Sequence, residues 1–357
     1  MALCVDLVIP GLMDIEPPAD WQEVGFDVWR TLLRQGSRLE ERRPADELLA
    51  NLLGFEKLAA TMNLEAASFS YAELRWLGDF GTAWPSTTST RLLCADPLWL
   101  LADKDSVLVQ DAHSLALTDE ECTAIQKAFN QHFSADGVSL IALSPQQGYL
   151  QCSNQAPLPT RPLQEILYRN LDHFFPEGIE QRHWRALLNE IQMLFHHLPM
   201  NAQREKNGQA PINGLWLWGD QKFLARQKPN YAKVISDHGC DQGCDDGFVR
   251  GCALHWKIPV EVMKPTTAPW QGSLLEPSKA DASIFVLLQA LQPPAAAQDS
   301  DAWCQAWITS ISQPMSSLHQ QLRLGTVTSC RIFPFSFSSL RGISIKLSKW
   351  DLWKFWK

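Results

Sequence analysis

The chain has 357 residues, of which 45% are hydrophobic and 20% are charged, as expected of a folded globular protein with ample core. The formal net charge of −8 argues against a general nucleic-acid-binding protein, and no apolar run approaches the roughly 20 residues that a membrane span requires. The opening "MALCVDLVIPGL" lacks the basic leader of a secretory signal, so we expect a cytoplasmic protein whose nine cysteines are reduced.

The first part of the chain alternates strand-like and helical patterns. Residues 3–9, "LCVDLVI", predict a buried strand that ends at Pro10-Gly11. Residues 21–60 place apolar side chains three and four positions apart, which predicts helices, and 81–90 has the composition of a loop. From 92 to 153 the pattern is β-β-α-β-β, with Thr118 and Glu121 spaced as a capping box. This order predicts a small α+β unit.

The second part predicts an α/β architecture. The helix over 184–198 carries one apolar stripe, and we expect Pro199 to end it and a polar loop to lead into the strand "INGLWLW". Strands are predicted at 232–236 and 283–289, with a helix in "DGFVRGCALHWKI" between them. Residues 292–301 are expected to be a loop, followed by helices over 302–323 and the strands "RIFPFSF" and "GISIKLS". The alternation favours a mixed, mostly parallel sheet. We therefore predict a core domain from 1–85 and 183–357, with an inserted ββαββ-like α+β domain at 86–182.

One polar segment, "SDHGCDQGCDDGFVRGC", could hold a metal. Asp237, His238 and Asp241 are the weak candidates for ligands. A structural zinc site usually needs two separated pairs of ligands, whereas Cys240 and Cys244 form a single pair. We therefore predict no metal site here, and free thiols at both cysteines.

The stretch 195–220, "FHHLPMNAQREKNGQAPINGLWLWGD", contains the candidate ligand-binding residues Asn201, Arg204, Asn213, Trp216 and Trp218. They fall where a helix, a connection and a strand meet, a place where α/β proteins often bind ligands. Two explanations compete. Tryptophan and asparagine favour a role in holding the architecture together, whereas an arginine can bind a phosphate or a carboxylate.

This stretch resembles the signature of cofactor-independent (archaeal-type) phosphoglycerate mutases of the alkaline phosphatase superfamily. The segments "LVIPGLMD" and "LLADKDSVLVQDAHSLALTDEECTAI" are similar to the first strand and the inserted domain of that family. With "LCADP", "NEIQMLFHHLPMN" and "PINGLWLWG", the pattern also resembles RpfE-type regulatory, phosphoglycerate-mutase-like proteins. The resemblance implies an alkaline-phosphatase-like α/β core.

Departures from that pattern bear on activity. The resemblance implies a metal-binding Asp-Gly at the end of the first strand, where this chain has Pro10-Gly11. It places Phe69, between Ser68 and Ser70, at the position of the serine nucleophile. After residue 270 His319 is the only histidine, so the late metal ligands of the family are not found. Two-metal phosphoryl transfer needs those groups together.

Three hypotheses follow. The first is a non-catalytic phosphoglycerate-mutase-like protein without a cofactor, which regulates by binding a phosphorylated small molecule or a protein partner. The second is an active mutase or phosphatase that uses Mn or Zn. The third is a purely structural interaction protein.

Overall fold

The structure is a computed structural model of the chain. It describes residues 3–17, 21, 24–41, 43–59, 68–85, 89–103, 106–110, 115–153, 160–175, 182–237, 246–263, 283–335, 342–348 and 350–353. Its strands are β1 (Leu3–Pro10), β2 (Ser37–Glu41), β3 (Phe55–Lys57), β4 (Ser68–Ser70), β5 (Thr90–Asp103), β6 (Ser106–Gln110), β7 (Val138–Leu143), β8 (Gly148–Ser153), β9 (Gly214–Trp218), β10 (Lys222–Ala225), β11 (Tyr231–Asp237), β12 (Val260–Met263), β13 (Ser283–Leu287), β14 (Val327–Phe335) and β15 (Gly342–Ser348).

The α-helices are α1 (Val24–Gln35), α2 (Ala45–Leu52), α3 (Tyr71–Phe80), α4 (Asp119–His132), α5 (Leu163–Ile166), α6 (Arg182–His196), α7 (Pro199–Lys206), α8 (Asp246–His255), α9 (Gln292–Ala296), α10 (Ser300–Ala306) and α11 (Ser312–Leu324). A π-helical turn, Trp307–Ile311, joins α10 to α11, and short 3-10 turns lie at Leu171–His173 and Asp351–Trp353. Among these described segments, no helix is both long and apolar enough to cross a membrane.

The chain divides into two compact units. Unit 1 comprises residues 1–56 and 226–357, and unit 2 comprises residues 57–225. Strand β9 pairs antiparallel with β5 and so lies in the sheet of unit 2. The division predicted from the sequence, a core domain of 1–85 and 183–357 with 86–182 inserted, stays a prediction.

Unit 1 is built on a mixed seven-stranded sheet in the order β12-β11-β13-β1-β14-β15-β2. The first five strands are parallel, and β15 and β2 extend the sheet with antiparallel pairing. Odd-numbered residues of β1, such as Val5 and Leu7, face a core that includes α1, α10 and α11. The predicted mixed α/β sheet is confirmed in this form.

Unit 2 is an antiparallel sheet covered by helices. Its strands run in the order β6-β5-β8-β7, with β9 paired to β5. The order β5-β6-α4-β7-β8 agrees with the β-β-α-β-β pattern expected for 92–153. The apolar stripe of α6 packs Trp184, Ile191 and Phe195 into the same core as Phe129 of α4.

Two expected loops are helical in the structure. Pro199 does not lead into a loop but is the first residue of α7, which begins shortly after α6 ends at His196. The expected loop at 292–301 contains α9 and the first turn of α10, and Pro293 and Pro294 lie in the first turn of α9. Proline is tolerated at these positions because the first N–H groups of a helix have no partner within the helix. Pro199, which the sequence predicts to end a helix, is the first residue of the next helix in the structure.

Candidate functional site

Asn201 lies in α7, and its side-chain amide is fully occupied by main-chain groups. The side chain is buried, and its Nδ2 donates to the carbonyl oxygens of Phe195, at 2.7 Å, and Ile212, at 2.6 Å. Its Oδ1 accepts the main-chain N–H of Ile212 at 3.1 Å. Asn201 therefore joins the end of α6 to the segment that enters β9.

Arg204, one turn further along α7, is 1% exposed. Its Nη1 lies 2.8 Å from both carboxylate oxygens of Glu121, and its Nε donates to the carbonyl of Ala210 at 2.8 Å. Its Nη2 donates to the carbonyl of Leu115. Glu121 is the residue that completes the capping box of α4 with Thr118. Arg204 therefore connects the start of α4 to α7 through hydrogen bonds of a buried side chain.

Asn213 precedes β9 and binds the main chain of β5. Its Oδ1 accepts the N–H of Leu100 at 2.7 Å, and its Nδ2 donates to the carbonyl of the same residue at 2.8 Å. This pair of bonds continues the β5–β9 ladder past its end, where the strand partners are Leu98 and Gly214.

The two tryptophans of β9 bury large rings and place each indole N–H on an acceptor. Trp216 Nε1 donates to the carbonyl of Arg161 at 2.9 Å, and Trp218 Nε1 donates to Asp96 Oδ2 at 2.6 Å. Both side chains are at most 1% exposed. An indole donor needs such a partner when it is buried, so both rings are fixed in place.

The acceptor of Trp218 belongs to a buried charge cluster that sequence patterns did not reveal. Arg75 of α3 donates from Nη1 and Nη2 to the two oxygens of Asp96, at 3.1 and 3.0 Å, and Nη2 also donates to the carbonyl of Gly148 at 2.8 Å. The hydroxyl of Tyr149 accepts from Arg75 Nε and donates to Asp79, and burial raises the pKa of this phenol above its usual range. One signal was available, since Asp96 interrupts the otherwise apolar "LLCADPLWLL".

The five candidate residues therefore lie in one unit, and each polar group described above points at the protein itself. Asn201 and Arg204 connect α6, α7 and α4, whereas Asn213, Trp216 and Trp218 connect β9 to its neighbours. Buried polar groups satisfied in this way rigidify a fold and specify one arrangement. The geometry can hold secondary structure elements in register, which is the architectural explanation.

A second polar cluster lies in unit 1 at the carboxyl end of β11. Both oxygens of Asp237 accept the main-chain N–H of Gln289 at 2.8 Å, and Oδ2 also accepts that of Ala290 at 3.3 Å. The Ser236 hydroxyl donates to Asp246 at 3.2 Å. Burial raises the pKa of the Asp237 carboxyl to about 7, against the lowering effect of the two main-chain donors.

Of the three weak metal candidates only Asp237 can be placed. His238 and Asp241 lie outside the described residues, as do Cys240 and Cys244, so their predicted state stays a prediction. Across the ranges that the structure describes, no three His, Cys, Asp or Glu side chains are grouped to hold a metal ion. The Asp237 carboxylate already accepts main-chain donors on both oxygens, so the described residues do not form a fitting site for Mn or Zn.

At the carboxyl end of β1, Pro10 and Gly11 are packed by helices. Gly11 has φ +80°, and a Cβ atom there would lie 2.6 Å from the carbonyl oxygen of Leu291 and 2.9 Å from the Cβ of Ala295. Trp303 of α10 donates its indole N–H to the Gly11 carbonyl at 3.0 Å. The resemblance implies a metal-binding carboxylate at the position of Pro10, which has no side-chain donor, and the next residue, Gly11, lies against Leu291 and α9.

The serines near the implied nucleophile position have a structural role. Ser70 is 1% exposed and is the N-cap of α3. Its Oγ accepts the N–H of Glu73 at 3.1 Å, and its own N–H donates to the Glu73 carboxylate. Ser68 and Phe69 form β4 and pair with β10. His319 lies on α11, and burial, together with Arg323, lowers the pKa of its ring.

No protein-family model and no curated protein matches the sequence. Among solved structures, the chain is similar to the cofactor-independent phosphoglycerate mutase from Thermoplasma acidophilum DSM 1728, with 13% identity, 98% of this chain and 90% of that chain covered, and a TM-score of 0.37. It is also similar to the PH0037 protein from Pyrococcus horikoshii, with 12% identity, coverage of 97% and 87%, and a TM-score of 0.45. At these TM-scores the likeness carries no argument about activity.

Proposed function

We propose that this protein is a non-catalytic relative of the cofactor-independent phosphoglycerate mutases. Like the RpfE-type proteins, which are labelled regulatory, it acts in regulation by binding a ligand or a protein partner. The proposal rests on the resemblance of residues 196–219 to the mutase signature, together with the departures from that family's pattern.

The absence of a donor side chain at Pro10, the end of β1, is the observation that carries the proposal. Ligands of open α/β sheets bind beyond the carboxyl ends of the strands, and a metal there needs oxygen or nitrogen donors. Here Pro10, the last residue of β1, offers no side-chain donor at the position where the resemblance implies a metal-binding carboxylate.

The internal bonding of the signature residues supports the same proposal. In this chain Arg204 is held by Glu121 and two carbonyls, and Asn201 by main-chain groups. A motif can persist for its structural contribution when the chemistry beside it has been lost. A ligand or partner would then bind elsewhere on the protein.

An assay for mutase activity tests the proposal. The protein is purified with Mn²⁺ or Zn²⁺ present, its bound metal is measured, and conversion of 3-phosphoglycerate to 2-phosphoglycerate is followed, with the Thermoplasma acidophilum enzyme as positive control. We expect no turnover above that of an Asp237→Asn/His238→Ala double variant. Metal-dependent turnover that the double variant lacks would overturn the proposal.

One observation favours the alternative of an active mutase or phosphatase. Asp237 is a buried carboxylate at the carboxyl end of a parallel strand with a pKa of about 7, and perturbed carboxylates of this kind are enriched at active sites. The same assay decides between the two hypotheses, because the double variant removes this carboxylate.

A melting experiment separates ligand binding from a purely structural interaction protein. A ligand that binds only the folded state raises the Tm, and the rise grows with the ratio of ligand concentration to Kd. We expect 3-phosphoglycerate or a related phosphorylated small molecule to raise the Tm more than equimolar sulfate does. Equal shifts with both anions would favour an interaction protein that binds other proteins only.

A further inference from the structure

Strand β2 forms one edge of the sheet in unit 1. It pairs with β15 on one side and is the last strand of the order on the other, within the described part of the chain. Residues 37–40 are exposed, and the Leu39 side chain is 63% exposed. An edge strand with accessible main-chain groups can pair with another chain unless the sequence prevents it.

The sequence of β2, Ser-Arg-Leu-Glu-Glu, is complementary to itself when two copies run antiparallel about Leu39. In that register Arg38 of each copy lies opposite Glu40 of the other, and the two Leu39 side chains lie opposite each other. Opposite charges directly across an antiparallel pair are favourable, and like charges are unfavourable. A register centred on Arg38 or on Glu40 would instead place two like charges together.

The main chain permits this register whichever residues bond to β15. In an antiparallel ladder, alternate residues direct both N–H and C=O to the same neighbour. If the N–H and C=O groups of Arg38 and Glu40 point away from β15, these two residues exchange main-chain hydrogen bonds with each other across the two-fold axis. If instead those of Leu39 point away from β15, Leu39 exchanges main-chain hydrogen bonds with Leu39 of the other copy. Either case gives roughly four to six main-chain hydrogen bonds.

The side chains are also placed to meet. Arg38 and Glu40 pair with Ile345 and Ile343 of β15, so they share one face of the sheet. Arg38 donates from Nε and Nη2 to the carbonyl of Leu33 at the end of α1, at 3.2 and 2.9 Å, which holds its guanidinium on that face. Leu39 lies on the opposite face, where it would cover its counterpart.

We propose that two copies of this protein associate through antiparallel pairing of β2 about a two-fold axis at Leu39. The contact is isologous, since the same five residues serve both sides. The contact is small, and its buried area is below that typical of permanent assemblies. We therefore expect the dimer to be weak and reversible.

Charge exchange at two positions tests the register directly. The full-length wild type, Arg38→Glu, Glu40→Arg and the double exchange are compared by sedimentation over a range of concentrations reaching millimolar protein. Each single variant places like charges opposite each other twice, and we expect each to weaken association by about tenfold. The double exchange restores opposite charges, and we expect association within about threefold of wild type.

Recovery of association in the double exchange is the result that only paired β2 strands predict. Circular dichroism and the Tm of each variant check that the fold is intact, and Lys127→Glu, a charge change at an exposed position of α4, is the matched control. A wild type that stays monomeric throughout, or a double exchange no better than the single variants, would overturn the proposal. Dimerisation that the Lys127→Glu variant loses equally would do so too.

Discussion

Arg204 carries a positive charge at a position that is 1% exposed, and its partners account for how the fold tolerates it. A buried charge is costly unless it is paired and its other donors are bonded. Glu121 supplies the opposite charge, and the carbonyls of Ala210 and Leu115 take the remaining bonds. The same carboxylate also accepts the Thr118 N–H at 3.0 Å. Arg204 therefore stabilises the junction of α7 with the start of α4 and with the segment at Ala210.

Arg204→Ala is expected to lower the free energy of unfolding by about 3 kcal/mol, because it leaves Glu121 and two carbonyls without their donor. Arg204→Lys keeps the charge but not the fork of donors, so we expect an intermediate loss. Chemical denaturation followed by circular dichroism measures both. An unchanged Tm in Arg204→Ala together with lost binding of phosphoglycerate would show that the residue serves a ligand instead.

Asp237 predicts an unusual dependence of stability on pH. The pKa of its carboxyl is about 7 in the folded protein against the ordinary value of 3.8, so the folded state holds the proton more tightly than the unfolded state does. The stabilising contribution of this proton is complete below about pH 4 and is lost as the pH rises through about 7.

The Asp237→Asn variant cannot lose this proton, so its stability relative to wild type is expected to improve between about pH 4 and about pH 8, by at most about 4 kcal/mol. Urea denaturation of both proteins at several pH values measures the difference. A difference that does not change with pH would contradict the assignment.

At the scale of single elements, the starts of α3 and α4 are set by hydrogen bonds between residues close in the sequence. Helix α4 begins at Thr118 with a reciprocal capping box, in which Glu121 N–H donates to Thr118 Oγ1 at 3.2 Å. Helix α3 begins in the same way at Ser70 and Glu73. In both cases the residues that satisfy the first N–H groups are three positions apart in the sequence, so the signal is local.

Thr118→Ala is expected to lower the Tm by about 3 °C, which corresponds to about 1 kcal/mol for an N-cap. Thr118→Ser retains the hydroxyl acceptor and is the matched control, with little change expected. Thermal unfolding followed by circular dichroism compares them. Equal losses in both variants would mean that the methyl group, and not the cap, matters.

At the scale of the whole molecule, unit 2 is one continuous segment of chain, residues 57–225. Near its two ends the Leu58 N–H donates to the carbonyl of Lys222 at 2.8 Å, and β4 pairs with β10. Its core is formed within the segment by α4, α6 and the sheet. Adjacent ends and a core formed within the segment are the properties of a piece of chain that can fold without the rest.

The isolated segment 57–225 is therefore expected to fold alone and to unfold in a single cooperative transition. A segment cut at the boundaries expected from sequence, 86–182, lacks β9 and α7, and with them the partners of β5 and Glu121. We expect it to be unfolded or to aggregate. Circular dichroism and thermal melts of the two segments make the comparison, and equal stability of both would contradict the boundary at 225.

Features whose causes are local could be predicted from the sequence alone. The strand at β1, the apolar stripe of α6, the capping box of α4 and the order of elements from β5 to β8 all follow from spacing along the chain. The helix starts at Pro199 and Gln292 could not be predicted in this way, because proline occurs both after the end and in the first turn of helices, and only the surrounding backbone distinguishes the two.

The contacts of the candidate residues could not be predicted from the sequence, because they depend on the tertiary structure. Arg204 and Glu121 are 83 positions apart, and Trp218 and Asp96 are 122 apart, so no spacing rule connects them. Whether an arginine binds a ligand or the protein depends on which acceptors the fold brings to it, and here the pairing of β9 with β5 brought them. That pairing also assigned residues 183–225 to unit 2, because strand partners are chosen by packing over the whole unit and not by the pattern of either strand.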